Sequence, residues 1–153
     1  MSDAMHPQAT PRLTIPEVDP KAYQPLYALE KHLRSGSLGE DLLALVKMRA
    51  SQLNGCAYCL NMHSREARKA EVPQQKLDVL AGWHEAPGLY TDRERAALRL
   101  TEQVTILTDG VADEVWDAAA AVYSEQELAE LLMAIAAINT WNRLAIATRQ
   151  QLD

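Results

Sequence analysis

The sequence predicts an all-α fold. Three observations predict it. Apolar residues recur at helical spacing from about residue 21 to the C-terminus. Ser or Thr precedes Glu by three residues at the start of three of those runs, the pattern of a helix capping box. No stretch alternates apolar and polar residues for long enough to make a strand. At 153 residues the chain has the length of one domain, with 48% hydrophobic and 24% charged residues, a globular balance.

The elements follow in order. Pro7, Pro11, Pro16 and Pro20 lack an N–H and restrict the residue before them, so residues 1–20 are expected to form an extended N-terminal arm. The helical domain then spans residues 21–153. Leu26, Leu29 and Leu33 mark its first helix, which Gly36 stops. Ser37 and Glu40 match a capping box for a second helix with Leu42, Leu45, Val46, Ala50 and Leu53 along one stripe. Asn54-Gly55 interrupts it, and a further helix runs from about Cys56 to Ala70. Pro73 suits the first turn of a short helix carrying Leu77, Leu80 and Ala81. Thr91 and Glu94 open a helix through Ala97, Leu100, Val104 and Leu107, ended by Asp109-Gly110. Val115, Trp116, Ala119, Val122 and Tyr123 mark the next. Ser124 and Glu127 open the strongest, with Leu128, Leu131, Leu132, Ile135 and Ile138. Its run Leu131–Ile138 is apolar nearly all round, which reads as a central core helix or a subunit contact.

The formal net charge of −6 argues against nucleic acid and anionic membrane surfaces as partners. No segment reads as a signal peptide or as a span of about 20 apolar residues, which points to the cytoplasm. The only two cysteines, Cys56 and Cys59, stand three positions apart, a spacing that indicates redox or metal chemistry.

The chemistry is concentrated between Cys56 and His63. On a helix, Cys59 and His63 meet on one face at i, i+4. Two sulfurs at i, i+3 can close a disulfide, and both lie where first-turn N–H groups stabilise an anion. These features favour thiolate, the nucleophilic form. The helix dipole favours Cys56 as the attacking sulfur and the histidine favours Cys59; spacing alone leaves the choice open. Zinc would need a fourth ligand beside Cys56, Cys59 and His63. His84 is the candidate, but three ligands within two turns make a cramped tetrahedron. Two cysteines that merely pack in a core are the structural alternative.

The segment Leu45 to Cys59 (LVKMRASQLNGCAYC) followed by His63 resembles the AhpD-like alkyl hydroperoxidases of the carboxymuconolactone decarboxylase superfamily. Glu66-Ala67-Arg68, Glu94 to Leu98 and Asn139 to Arg143 agree with it. The resemblance implies an all-α homo-oligomer, often a trimer or hexamer, that reduces small organic hydroperoxides with a thiol reductant and needs no metal, flavin or haem. It assigns peroxide attack to Cys59, resolution to Cys56 and proton relay to His63. The chain departs from the family pattern at Ala44, twelve residues before Cys56, where the relay glutamate would stand, and at Tyr58, in place of a histidine. Glu40, one turn before Ala44, is a candidate substitute acting through water, although its capping role is the expected one. A redox-sensing or structural oligomer on the same fold is the rival, and a lactone-decarboxylase-type lyase the third possibility.

Other residues invite structural roles. Trp116 and Trp141 read as core or interface anchors. Asn139, Asn142 and Arg143 are expected to bond neighbouring helices. Arg49, close to an apolar stripe, needs a carboxylate, with Glu66 and Glu94 as candidates. His84 is expected at the surface, and Tyr58 either packs or tunes the thiols.

Overall fold

Ser124 and Thr91 each accept a hydrogen bond from the N–H three residues on, and Glu127 and Glu94 answer back to the cap N–H. Both boxes start helices where the sequence places them. They belong to a computed structural model that describes residues 5–7 and 9–153 and is helical throughout, with no strand among the described residues. The helices are α1 (Ile15–Val18), α2 (Gln24–Arg34), α3 (Glu40–Asn54), α4 (Ala57–Lys69), α5 (Gln74–Asp78), α6 (Asp92–Thr105), α7 (Asp113–Ala120) and α8 (Glu125–Thr148). A 3-10 helix, Leu80–Glu85, follows α5.

The core forms where α3, α6 and α8 meet, with α2 and α7 closing its sides. Leu131, Ile135 and Ile138 on α8 are fully buried, as are Leu45 and Val46 on α3 and Leu98 and Leu100 on α6. Each such side chain contributes about 1.5–3 kcal/mol by leaving water. Met133 and Ala136 face outward, so the run Leu131–Ile138 is buried at most of its positions but not all round. By length and composition α8 is also apolar enough to cross a bilayer, which corrects the expectation that no segment would be. In this fold its apolar face is taken up by α3, α2 and α6.

Several expectations are corrected by tertiary contacts. Ser37 and Glu40 form no capping box: Gly39 is the cap of α3. The N–H and hydroxyl of Ser37 instead donate to Glu130 Oε2 on α8, at 2.8 and 3.0 Å. A long-range acceptor on a buried helix has displaced the local one. Helix α6 ends at Thr105, four residues before Asp109, and leaves Ile106 and Leu107 exposed. Trp116 is 40% exposed on α7 and anchors no core in this chain. Within the segment expected to be extended, Ile15–Val18 makes one helical turn with Pro16 at its second position, where the N–H has no intrahelical acceptor and its loss costs nothing. Arg12 N–H bonds the carbonyl of Thr148 at the far end of the chain. Residues 1–4 and 8 of the expected arm lie outside the described residues.

Candidate redox site

Asn54-Gly55 creates the site's geometry. Gly55 has φ +70°, a left-handed conformation that side chains resist, and it closes α3. The N–H of Cys56 then returns to the carbonyl of Ser51 at 3.0 Å. The chain is thereby turned so that Cys56 becomes the N-cap of α4, with its Sγ accepting from Cys59 N–H at 3.3 Å. The helix therefore starts at Ala57, one residue later than the sequence suggests. A polar lattice holds this turn against α8. Asn54 Nδ2 donates to Asn139 and Asn142, each at 2.9 Å. Asn142 Nδ2 donates to Ser51 Oγ, which itself donates to the carbonyl of Lys47. Asn139 and Asn142 thus bond a neighbouring helix as expected, whereas Arg143, among the described residues, bonds only Asn139 on its own helix.

Cys56 and Cys59 are joined as a disulfide, their Cα atoms 5.3 Å apart. Both are 1% exposed and pack with Ala50, Ile138 and Ala145, flanked by Tyr58 and Trp141. One turn further along α4, His63 is 3% exposed. Its Nδ1 lies 2.7 Å from Glu66 Oε2. An ionised carboxylate can only accept, so Nδ1 donates to Glu66; in the neutral ring this leaves the lone pair on Nε2. Nε2 is buried and has no protein partner. Glu66 is thus the carboxylate that serves the histidine. The hydrogen bond to His63 holds its carboxyl below the ordinary carboxylate range. Burial opposes that shift, and the charges of His63, Lys47 and Arg34 reinforce it.

The other expected partners lie elsewhere. Ala44 is buried among Leu45, Met48, Ala67 and Trp83, and borders a second cavity of about 220 Å³ together with Glu40, Lys47 and Glu66. Glu40 makes no hydrogen bond to His63 there. Arg49 finds its carboxylate in Glu102, at 2.9 Å, and neither Glu66 nor Glu94. His84 bonds Glu102 at 3.1 Å and stacks on Trp83; it approaches neither cysteine and completes no zinc set.

A cavity of about 380 Å³ opens beside α4. Tyr58, Met62, His63 and Glu66 line it from α4, Tyr27, Glu30, Lys31 and Arg34 from α2, and Trp141 from α8. Tyr23, Tyr27 and Trp141 form an aromatic cluster with ring centroids 5.0–6.0 Å apart. Beneath it, Glu30 accepts from the buried Lys47 ammonium and from Trp141 Nε1. Neither sulfur borders this cavity; Tyr58 and His63, which flank Cys59 along α4, do. Sequence reasoning missed Glu66 as the partner of His63, though the i, i+3 spacing carried the signal. The contribution of α2 left no local signal at all.

A helical bundle with a disulfide-bonded C-x-x-C pair beside a carboxylate-held histidine is the arrangement of the AhpD-like class. The chain belongs to the carboxymuconolactone decarboxylase family, whose model matches residues 20–103. It is 34% identical over 137 residues to the uncharacterized protein YdfG of Bacillus subtilis, covering 89% of this chain and 92% of that one. Among solved structures it is similar to ATU0492 of Agrobacterium tumefaciens, a protein of unknown function whose description places it with the antioxidant defence protein AhpD. The TM-score is 0.89 and the identity 34%, over 94% of this chain and 99% of that one. The fold is also shared with the debrominase Bmp8, at a TM-score of 0.80 and 24% identity over 90% of this chain and 74% of that one.

Proposed function

We propose that this protein is a thiol-dependent hydroperoxide reductase. The observation that carries the reading is the disulfide pair at the mouth of α4, one turn from a histidine whose Nδ1 is held by Glu66 and whose Nε2 is unpartnered. In the reduced protein, His63 Nε2 takes the proton of the Cys59 thiol. The thiolate attacks one peroxide oxygen, the O–O bond breaks, and the leaving alkoxide takes the proton back from His63. Cys59 is now a sulfenic acid. The Cys56 thiol displaces its hydroxyl as water and closes the disulfide. A dithiol reductant restores both thiols by exchange. The sum converts one hydroperoxide and two thiols into one alcohol, one water and one disulfide. Glu66 positions His63 in the role that Ala44 leaves vacant on α3.

Similarity to an AhpD-named structure at 34% identity supports this reading. A homo-oligomer, trimer or hexamer, located in the cytoplasm, completes the proposal. Light scattering that returns a 17 kDa species at micromolar concentration would overturn the assembly part.

The test is consumption of cumene hydroperoxide by the reduced full-length chain with dithiothreitol as donor. Cys59→Ser is expected to abolish turnover, and Cys56→Ser to trap a sulfenic acid on Cys59 detectable by dimedone. Turnover that survives Cys59→Ser ends the reading.

One observation favours a second function. Both sulfurs are sealed from the cavity in the disulfide form, which favours a non-catalytic pair on the same fold over one that meets peroxide. Reversible oxidation that changes assembly without any turnover would establish that alternative. A lactone-decarboxylase-type activity would instead survive thiol alkylation.

A further inference from the structure

The cavity beside α4 is polarised along its length. Along α2 and its N-cap Tyr23, the residues Tyr23, Tyr27, Lys31 and Arg34 fall on one stripe at helical spacing. The aromatic end is completed by Trp141 and Tyr58, close to the cysteine pair. The opposite end is cationic. Seven residues separate Tyr27 from Arg34, about 10 Å along the helix. The carboxylates in the wall are already engaged. Glu30 is held by Lys47 and Trp141. Glu66 gives Oε2 to His63, and its Oε1 lies 3.7 Å from Arg34. Lys31 has no carboxylate within 4 Å among the described residues, so a positive charge stands at this end without a fixed partner.

We infer that the preferred substrate is an aryl-bodied hydroperoxide that carries a carboxylate at the end remote from its peroxide group. This rests on the hydroperoxide-reductase reading of the same site and specifies its substrate class. The ring stacks on Tyr23, Tyr27 and Trp141, where flat apolar surface gains most. The carboxylate meets Lys31 and Arg34, a charge-assisted contact of greater strength than a neutral one. With the anion fixed there, the peroxide end is directed toward Tyr58 and His63, which flank Cys59. A cavity of about 380 Å³ accommodates a substituted benzene ring and excludes a folded peptide. The reaction is the one already balanced: hydroperoxide plus the two thiols of Cys56 and Cys59 gives alcohol, water and disulfide, with a dithiol donor closing the cycle.

The experiment compares cumene hydroperoxide with its para-carboxylate analogue, and in parallel the two alcohols they yield, which are unreactive and report binding alone. Calorimetry on the full chain should find the carboxylate alcohol bound about tenfold more tightly than the neutral one at low salt. The same ratio should appear in kcat/KM for the two hydroperoxides. In Lys31→Gln and in Lys31→Gln/Arg34→Gln the ratio should fall toward one, and salt should erode it in the native protein. Equal binding of the two alcohols by the native chain overturns the proposal. So does a carboxylate preference that persists in the double variant. A preference in the alcohols, with neither hydroperoxide consumed, upholds the anion-binding end and overturns the peroxide chemistry on which the substrate assignment rests.

Discussion

Among the described residues two histidines lie against carboxylates, in unlike surroundings. His63 contacts Glu66 at 2.7 Å and His84 contacts Glu102 at 3.1 Å. His63 is buried, presents a bare Nε2, borders a cavity and follows Cys59 by one helical turn. His84 is 45% exposed in its side chain, stacks on Trp83 and meets a carboxylate that also accepts from Trp83 and Arg49. Glu102 is a structural node tying α6 to α3 and the 3-10 helix; Glu66 orients one ring. A histidine–carboxylate pair is therefore no site by itself. Burial, an unspent ring nitrogen and a nearby nucleophile make it one.

The largest test of that contrast is His63→Ala. Loss of the proton carrier should cut kcat/KM for cumene hydroperoxide by about 100-fold or more. His84→Ala should leave it unchanged. Equal losses at the two positions would erase the distinction. Glu102→Ala comes next and should act on stability alone. It strips partners from the largely buried Arg49 and from the indole N–H of Trp83, at a cost of about 2–3 kcal/mol in urea unfolding. Activity per folded molecule should stay level.

Glu66 sharpens the comparison from the other side. Glu66→Ala should lower kcat/KM about tenfold by freeing the imidazole to rotate or change tautomer. Glu66→Gln, which can still accept from Nδ1, should recover part of it. If the two variants are indistinguishable, Glu66 does not position His63.

Acid should act through the same carboxylate. The folded Glu66 carboxyl titrates below its ordinary value because of the hydrogen bond to His63. Its stabilising effect is thus complete above the ordinary carboxylate value and is lost as pH falls through the depressed folded one. Glu127, held low first by Arg93, and Glu130, held low first by Gln126 and then by Ser37 N–H, act in the same direction. The urea midpoint should fall across that acidic window, and Glu66→Gln should flatten part of the fall. The smallest effect belongs to His84→Ala in thermal unfolding. Exposed and loosely paired, it should cost about 0.5 kcal/mol or less.

What could be read in advance follows the range of the forces involved. The capping boxes at Thr91 and Ser124 and the turn at Gly55 are satisfied within a few residues, and all were legible. The pattern at Ser37-x-x-Glu40 was equally good locally and still failed, because Glu130, 93 residues away, offered Ser37 a better acceptor. The carboxylate for Arg49 was misassigned for the same reason: Glu102 sits 53 residues downstream and is brought close only by packing of α3 on α6. At the site, the cysteine pair and His63 share one helix and could be placed from spacing. The stripe of Tyr23, Tyr27, Lys31 and Arg34 could not, since α2 meets α4 only through the folded bundle.

By itself the sequence determined the helices, the turn that makes Cys56 a cap, and the placing of Cys59 and His63 one turn apart. Those are consequences of backbone geometry and of hydrogen bonds closed over a few residues. Tertiary structure decided which carboxylate serves the histidine and which helix walls the cavity. It also decided which apparent cap goes unused. Such choices turn on which polar groups are stripped of water together, and that is set only when the apolar faces of α3, α6 and α8 come into contact.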